Sequence, residues 1–195
     1  MVKTLLVLCA AYLIGSVPVA YLLAKVFYGR DIRRIGSRNV GAMNVARNIS
    51  LGLGLLTVSL DIFKGVLALI LAKYWAGTVF ALVLAPVLVI AGDIWPVFLG
   101  FRGGKGLAAA AGALLVIDLG IVFWAALVLG VVALITQNAT AATVVTCLLL
   151  PLISWWQLGG FAWFFFGVIV ALPILARHLK LSGTISYSNF LNQSF

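Results

Sequence analysis

Long apolar runs separated by short polar gaps make up most of the chain. Seven runs can be delimited, at residues 4–27, 51–73, 79–99, 106–118, 120–136, 141–156 and 159–176. A helix needs roughly 20 apolar residues to cross about 30 Å of hydrocarbon, so the shorter fourth, fifth and sixth runs leave tilted, re-entrant or merged helices open. The runs lack period-two alternation, which excludes membrane strands. The pattern predicts an all-α integral membrane protein with seven transmembrane helices.

The composition excludes most soluble classes of protein. Hydrophobic residues make up 65% of the 195 residues, charged residues only 9%, and the mean hydropathy is +1.24. A soluble domain carries about 25% charged residues. With so little polar material, a soluble enzyme, a coiled coil or a nucleic-acid-binding domain could not cover its apolar surface. The first run starts after Lys3 like a signal peptide, but it continues past Pro18 to Leu23, which favours a retained helix.

The basic residues favour one orientation in the membrane. The chain has 13 Lys and Arg residues against four Asp residues, for a net charge of +9. With seven crossings and the N-terminus outside, ten basic residues fall on one side: Lys25, Arg30, Arg33, Arg34, Arg38, Arg47, Arg102, Lys105, Arg177 and Lys180. The positive-inside rule makes that side cytoplasmic. We therefore expect an outside N-terminus, a cytoplasmic C-terminus, one membrane domain over residues 1–180 and a polar C-terminal tail over residues 181–195.

The cysteine and histidine content argues against a disulfide or a metal site. Cys9 and Cys147 lie far apart in apolar runs, and His178 is the only histidine. These residues offer neither a disulfide framework nor the spacing of metal ligands. We expect no metal ion and no cofactor. The excess of positive charge indicates an anionic ligand rather than nucleic acid, and the oligomeric state stays open.

The longest polar gap, residues 29–48, combines small, amide and basic residues. Its candidate ligand-binding residues are Gly36, Ser37, Asn39, Gly41, Asn44 and Arg47. Glycine lets a ligand approach the backbone closely, Ser and Asn both donate and accept, and the arginine fork fits phosphate oxygens. A solvated loop whose charges only set the topology is the alternative.

A glycine-rich segment with two cations precedes the fourth apolar run. It reads Phe-Arg-Gly-Gly-Lys-Gly-Leu over residues 101–107. Backbone N–H groups at a helix start bind anions, and lysine adds charge. Leu99 and Gly106 stand where a nucleotide-binding P-loop needs Gly and Ser or Thr, so nucleotide hydrolysis is excluded. A tight turn with snorkelling cations remains the alternative.

Charged residues also interrupt the second and third apolar runs. Asp61 and Lys64 are three residues apart, so they share a helix face and can form an ion pair that lowers the cost of inserting each charge. Asp93 and Pro96 indicate a helix that breaks to line a cavity. A purely structural ion pair is the alternative to a polar substrate site.

Two further polar features fall on the same predicted face. One is the uncharged gap over residues 137–143, and the other is the Arg177–His178 pair at the end of the last run. A lone histidine at this position is more often a helix cap than a catalyst. A shared cytoplasmic pocket for a small phosphorylated molecule explains why all these features gather on one side of the membrane.

In this order, the motifs resemble the bacterial acyl-phosphate glycerol-3-phosphate acyltransferases, the PlsY family. The similar stretches are residues 36–44 with Arg47, residues 61–65 and residues 95–106, and the resemblance covers about residues 11–178. It implies a seven-helix protein of the bacterial inner membrane that works at the cytoplasmic face. It also implies transfer of a fatty acyl group from acyl phosphate to the 1-hydroxyl of glycerol 3-phosphate, which yields lysophosphatidic acid and phosphate and begins phospholipid synthesis. The partners would be these two substrates and membrane lipids.

The resemblance and the residue chemistry together assign roles. We expect Lys105 and the N–H groups near Gly103 and Gly104 to hold one phosphate, while the loop over residues 36–47, with Lys64, holds glycerol 3-phosphate. The expected catalytic residues are Lys105, Ser37, Arg47 and His178. The expected substrate-binding residues are Gly36, Asn39, Gly41, Asn44, Asp61, Lys64, Arg102, Gly103, Gly104, Thr140 and Thr143. The donor phosphate itself would accept the hydroxyl proton.

The chain departs from the family pattern at several positions. Asp93 replaces a His, Arg102 replaces a Lys, Gln137 and Asn138 replace an Arg-Tyr pair, and the Asn that follows His178 is lacking. A divergent homologue that binds glycerol phosphate or phospholipid without turnover is therefore an alternative. A small organic-phosphate transporter is another, although the chain lacks the internal repeat and midplane polar groups typical of that class.

Overall fold

The computed structural model describes the backbone of residues 1–191 and the side chains of residues 1–179. The described backbone is helical, with nine α-helices joined by short connections. They are α1 Val2–Ser16, α2 Val19–Tyr28, α3 Ala42–Asn48, α4 Leu51–Leu71, α5 Val79–Ile94, α6 Leu107–Ile117, α7 Leu119–Thr136, α8 Ala139–Leu158 and α9 Phe161–Leu191. A π-helical turn over Ala72–Ala76 extends α4, and 3-10 turns lie at Ile32–Arg34 and Val97–Leu99.

Each of the seven predicted apolar runs is helical. Within the described residues, five helices are long and apolar enough to cross a membrane, and the bent α1–α2 pair makes a sixth candidate. With eleven residues, α6 is only about 16 Å long, as the short fourth run predicted. The chain is an all-helical integral membrane protein.

The first run is not the continuous helix that the sequence predicted. Pro18 has no N–H and its ring clashes with the preceding turn, so the helix stops at Ser16 and restarts at Val19. The two pieces form a 40° bend. The break leaves backbone carbonyl groups available inside the protein, and the buried ammonium group of Lys64 donates hydrogen bonds to two of them.

Close helix packing in the unit formed by Met1–Val122 depends on glycines. A methyl group at Gly15 of α1 would collide with the carbonyl of Val89 on α5, and one at Gly92 of α5 would collide with the carbonyl of Tyr12 on α1. Gly65 on α4 likewise meets the carbonyl of Ala109 on α6. Small residues let membrane helices approach to backbone contact, which brings α1, α4, α5 and α6 together around their polar residues.

A small apolar core anchors the segment between α2 and α4. Ile32 and Val45 are fully buried and pack with Ala24 of α2 and Leu53 of α4. Gly54 of α4 allows close contact with Ala46 of α3. This core fixes the loop over residues 29–50, which carries most of the predicted binding residues.

The described residues from Phe123 onward form a second compact unit. In this unit α8 packs on α9, where a side chain at Gly167 would collide with Pro151. Trp124 of α7 makes an edge-to-face contact with Trp156 of α8, with 5.3 Å between ring centroids. The side chains of the predicted polar tail, residues 181–195, lie outside the described part of the chain.

Candidate active site

Lys64 lies at the centre of a buried polar cluster. Its side chain is only 7% exposed, and four oxygen atoms surround Nζ. The carboxylates of Asp61 and Asp93 lie 2.9 Å and 2.8 Å away, and the carbonyls of Gly15 and Val17 each accept a hydrogen bond at 3.1 Å. A buried ammonium group needs such compensation, because desolvation of an isolated charge is costly.

The Pro18 break explains why these carbonyls are available. In a continuous helix the N–H of Val19 would bind the carbonyl of Gly15, but here it donates to Val17 at 3.0 Å. The carbonyl of Gly15 is therefore left for Lys64. The cluster joins the α1–α2 break to α4 and α5.

Asp93 connects this cluster to the glycine-rich segment. While Oδ1 accepts from Lys64, Oδ2 accepts a hydrogen bond of 3.1 Å from the N–H of Gly106. The backbone carbonyl of Asp93 also accepts from the N–H of Gly104 at 2.9 Å. Both neighbours of Lys105 are thus bound to a single residue at the end of α5.

Glycine is required at two positions of this segment. A side chain at Gly103 would collide with the carbonyl of Asp93 and with Pro96. At Gly104 a Cβ would lie 2.9 Å from Asp93 Oδ2 and 3.0 Å from the carbonyl oxygen of Val40. The glycine-rich segment therefore lies directly against both α5 and the loop over residues 29–50.

Asn44 organises that loop from its buried position on α3. Its Nδ2 group lies within hydrogen-bonding distance of three carbonyl oxygens, at 3.3 Å from Ile32, 3.0 Å from Ile35 and 2.9 Å from Asn39. Its Oδ1 accepts from the backbone N–H of Ser37 at 3.2 Å. One side chain thereby holds the path of the backbone from residue 32 to residue 39.

Asn48 completes this arrangement. It donates to Asn44 Oδ1 at 2.9 Å, and a Cβ at Gly36 would collide with both amide side chains. Gly36 also has a φ of +55°, which favours glycine. Gly41 allows the Asn39 side chain to lie close, 2.9 Å from where a Cβ would be.

The loop over residues 29–50 and the glycine-rich segment meet at a small recess that is partly open to solvent. Its polar lining includes Asp61 and Asp93, and its walls come from the α1–α2 break, the loop over residues 29–50 and the glycine-rich segment. The lining residues are Gly15, Val17, Pro18, Val19, Ala20, Val40, Asp61, Asp93, Pro96, Gly103 and Gly104. The recess confirms the prediction that Asp93 lies where a helix ends beside a cavity.

An ion pair between Asp31 and Arg33 reduces the positive charge of the loop over residues 29–50. Arg33 donates to both carboxylate oxygens of Asp31, at 3.0 Å and 2.8 Å, and lies 4.7 Å above the ring of Tyr21. The side-chain hydrogen bond from Arg33 lowers the pKa of Asp31 from 3.8 to about 2. Asp31 is therefore ionised at neutral pH and offsets one arginine charge.

The other predicted residues of this unit differ in exposure. Ser37 and Arg47 are exposed on the loop that Asn44 organises, and Arg102 is exposed beside the glycines. Lys105 is half-buried. These side chains are accessible to a ligand, whereas Lys64 is enclosed by protein and Asp61 is buried at the wall of the recess.

In the second unit, the predicted residues belong to two helices. The N–H of Thr140 donates to Asn138 Oδ1 at 2.9 Å as part of the helix cap of α8, and the buried hydroxyl of Thr143 donates to the carbonyl of Ala139 at 2.8 Å. His178 is fully buried on α9, and its Nδ1 lies 2.9 Å from the carbonyl oxygen of Ile174. Within the described residues, no group of three His, Cys, Asp or Glu side chains is placed to hold a metal ion.

Four residues that we expect to bind substrate also have protein partners in the structure. The N–H groups of Gly103 and Gly104 donate to the carbonyls of Ile94 and Asp93, at 3.0 Å and 2.9 Å. Lys64 has four protein oxygens around its three N–H donors. Asn44 uses both of its side-chain polar atoms within the loop. These residues hold the conformation of the site through contacts within the protein.

Sequence reasoning missed Asn48 and the carbonyls of Gly15 and Val17. Asn48 lies one helical turn after Asn44, a spacing that can indicate a side-chain contact. Pro18 within an apolar run is a signal for a helix break. The pairing of Lys64 with Asp93 spans 29 residues of sequence and has no local signal.

Known proteins are similar to this chain over most of its length. Residues 5–185 match the family model described as glycerol-3-phosphate acyltransferase. The chain is 34% identical over 178 residues to glycerol-3-phosphate acyltransferase 1 of Moorella thermoacetica, covering 91% of each protein. It is 32% identical to the Prochlorococcus marinus (strain MIT 9215) glycerol-3-phosphate acyltransferase, covering 89% of each.

A solved structure has the same fold. The crystal structure of PlsY (YgiH), an integral membrane glycerol 3-phosphate acyltransferase in its glycerol 3-phosphate form, superposes with a TM-score of 0.82 at 27% identity. The superposition covers 95% of this chain and 92% of PlsY. The predicted family is confirmed, and the chain belongs to the glycerol-3-phosphate acyltransferase family.

Proposed function

We propose that this protein transfers a fatty acyl group from acyl phosphate to the 1-hydroxyl of glycerol 3-phosphate. The products are lysophosphatidic acid and phosphate, and the reaction begins phospholipid synthesis. The family match and the relatives' names support the acceptor. The observation that carries the proposal is the contact between Gly104 and Val40, which brings the segment holding Lys105 against the loop holding Ser37 and Arg47.

The chemistry needs little from the protein beyond placement and charge. Acyl phosphate is an activated mixed anhydride, so an acyl-enzyme is unnecessary. The hydroxyl oxygen attacks the acyl carbon, the bond from that carbon to the phosphate oxygen breaks, and phosphate leaves with the hydroxyl proton. Holding both substrates together can contribute several kcal/mol, at most about 7–11. Cations offset the repulsion between two anions and stabilise the departing phosphate.

The accessible residues divide between the two substrates. Lys105, with Arg102, holds the donor phosphate at the glycine-rich segment. Ser37 and Arg47 hold glycerol 3-phosphate from the loop that Asn44 shapes, and Asn39 contributes its amide. The expected roles of His178 in catalysis and of Thr140 and Thr143 in substrate binding stay predictions from the sequence.

The seven apolar helical segments cross the membrane with the N-terminus outside and the C-terminus in the cytoplasm. This arrangement places the basic loops and the recess at the cytoplasmic face of a bacterial inner membrane. The acyl chain of the donor lies between helices or in the inner leaflet. The charge distribution of the sequence supports this topology.

Purified protein mixed with palmitoyl phosphate and radiolabelled glycerol 3-phosphate tests the activity. We expect labelled lysophosphatidic acid well above a no-protein control, and no product when palmitoyl-CoA replaces the donor. Failure to form product with any donor would indicate a binding protein. Uptake of labelled glycerol 3-phosphate into proteoliposomes without a donor would indicate a transporter.

A further inference from the structure

Asp93 accepts two hydrogen bonds from the glycine-rich segment. Its backbone carbonyl binds the N–H of Gly104, and its Oδ2 binds the N–H of Gly106. Lys105 is the residue between them. The residues on both sides of this lysine therefore each donate a backbone N–H to one residue on a different element.

The carboxylate of Asp93 is itself held in place. Its Oδ1 lies 2.8 Å from Lys64 Nζ, and that ammonium group is held by Asp61 and by the carbonyls at the α1–α2 break. A carboxylate fixed by an ion pair in a buried site has few alternative orientations. The position of the Gly106 N–H is thus determined by α1, α4 and α5 together.

Backbone hydrogen bonds are important for the shape of this segment. Gly103, Gly104 and Gly106 have no side chains to pack, and Gly106 adopts a left-handed φ of +80°. Glycine loses more conformational freedom than any other residue when it is ordered. A segment of this composition depends on hydrogen bonds for a defined conformation, and Asp93 supplies two of them.

We infer that Asp93 is a positioning residue for Lys105: it fixes the backbone on both sides of that lysine and so sets the place of the ammonium group at the donor phosphate. Asp93 acts through Lys105 and does not contact substrate in this role. The role of Lys105 in this inference rests on the proposed function. The hydrogen bonds from the glycine-rich segment to Asp93 do not depend on that function.

Hydrogen–deuterium exchange tests the hold directly. In Asp93→Ala we expect the amide of Gly106 to exchange at least about tenfold faster than in the wild type, because the carboxylate that accepts its hydrogen bond is lost. The amide of Gly104 keeps its acceptor, the main-chain carbonyl of residue 93. Asp118→Ala is a matched control, since Asp118 caps the N–H of Ile121 at the other end of α6 with a 3.0 Å bond. It should leave residues 103–107 unchanged. Wild-type exchange of this segment in Asp93→Ala would overturn the inference.

A double-mutant cycle tests the link to Lys105. We expect Asp93→Ala to lower turnover about tenfold in the wild type, but less than about twofold in a Lys105→Ala background, because interacting residues are not additive. A residue that only stabilises the fold would give the same fold-loss in both backgrounds, and that result would overturn the inference. Asp118→Ala should keep wild-type turnover.

Asp93→Asn keeps the test decisive if the alanine variant folds poorly. The amide has the same shape but only one acceptor oxygen for two donors. We expect turnover between that of the wild type and that of Asp93→Ala. Wild-type turnover together with wild-type exchange would contradict the positioning role. A wild type that forms no lysophosphatidic acid would remove the proposed function, while the exchange result would still decide whether Asp93 holds the segment.

Discussion

Lys64 on α4 and Asp93 at the end of α5 form a buried ion pair, with 2.8 Å between Nζ and Oδ1. The pair joins a lysine that the sequence links to Asp61 with a residue 29 positions away. Removing the ammonium group would leave two buried carboxylates without a counter-ion. For Lys64→Met we therefore expect a loss of about 3–5 kcal/mol in the free energy of unfolding.

Thermal unfolding in detergent measures this effect. Lys73→Met is the control, because Lys73 is exposed after the C-terminal end of α4, and it should melt like the wild type. Equal melting temperatures for both variants would show that the cluster does not stabilise the fold.

Gly104→Ala should damage activity through contact alone. The new methyl group would lie 2.9 Å from Asp93 Oδ2 and 3.0 Å from the Val40 carbonyl oxygen. The glycine-rich segment or the groups that it contacts must therefore move. We expect turnover to fall at least about tenfold, since small displacements of reacting groups cost up to about 10²-fold. Gly130→Ala on α7, where the added methyl meets nothing within 4 Å, should keep full activity. Similar rates for the two variants would refute the contact.

Lys105→Ala should remove a cation that meets developing charge on the leaving phosphate. We expect turnover to fall about 10²-fold or more. Lys25→Ala removes an exposed lysine from the same predicted face and should change the rate by less than about twofold. Near-normal kinetics in Lys105→Ala would show that another residue holds the donor phosphate.

Asn44→Asp tests the organisation of the loop over residues 29–50 with almost no change in side-chain volume. A carboxylate cannot donate to the carbonyls of Ile32, Ile35 and Asn39, so it would repel three oxygens that Asn44 now binds. Trypsin should cut the loop at its exposed arginines faster, and turnover should fall about tenfold. Asn138→Asp is the control, because its cap of α8 uses only an acceptor oxygen, which aspartate keeps.

The proposed topology predicts opposite accessibility at the two ends of α4. Met43 lies before the helix and Lys73 after it, and both are exposed. In a Cys9→Ser background, an impermeant thiol reagent should label Met43→Cys only from the cytoplasmic side and Lys73→Cys only from outside. Labelling of both from one side would show that α4 does not cross the membrane.

Local sequence patterns predicted the helices, but they could not predict contacts between residues that are far apart in the sequence. The seven apolar runs, the Asp61–Lys64 pair and the cavity beside Asp93 follow from hydropathy, helical spacing and the presence of Pro96. By contrast, the ligands of Lys64 come from three separate elements. The use of the glycine N–H groups by Asp93 and Ile94 depends on how α5 meets the segment in space, and a linear pattern carries no information about that geometry.

The facing glycines of α1, α4, α5 and α6 have a consequence for efforts to raise thermostability. Exchanging a helical glycine for alanine commonly strengthens a helix by about 1 kcal/mol. At Gly15, Gly65, Gly92 and Gly112 the obstacle is a neighbouring main-chain carbonyl, which no rotamer change can relieve. A consensus or alanine library for this protein should therefore leave these four positions untouched and begin with surface glycines such as Gly130.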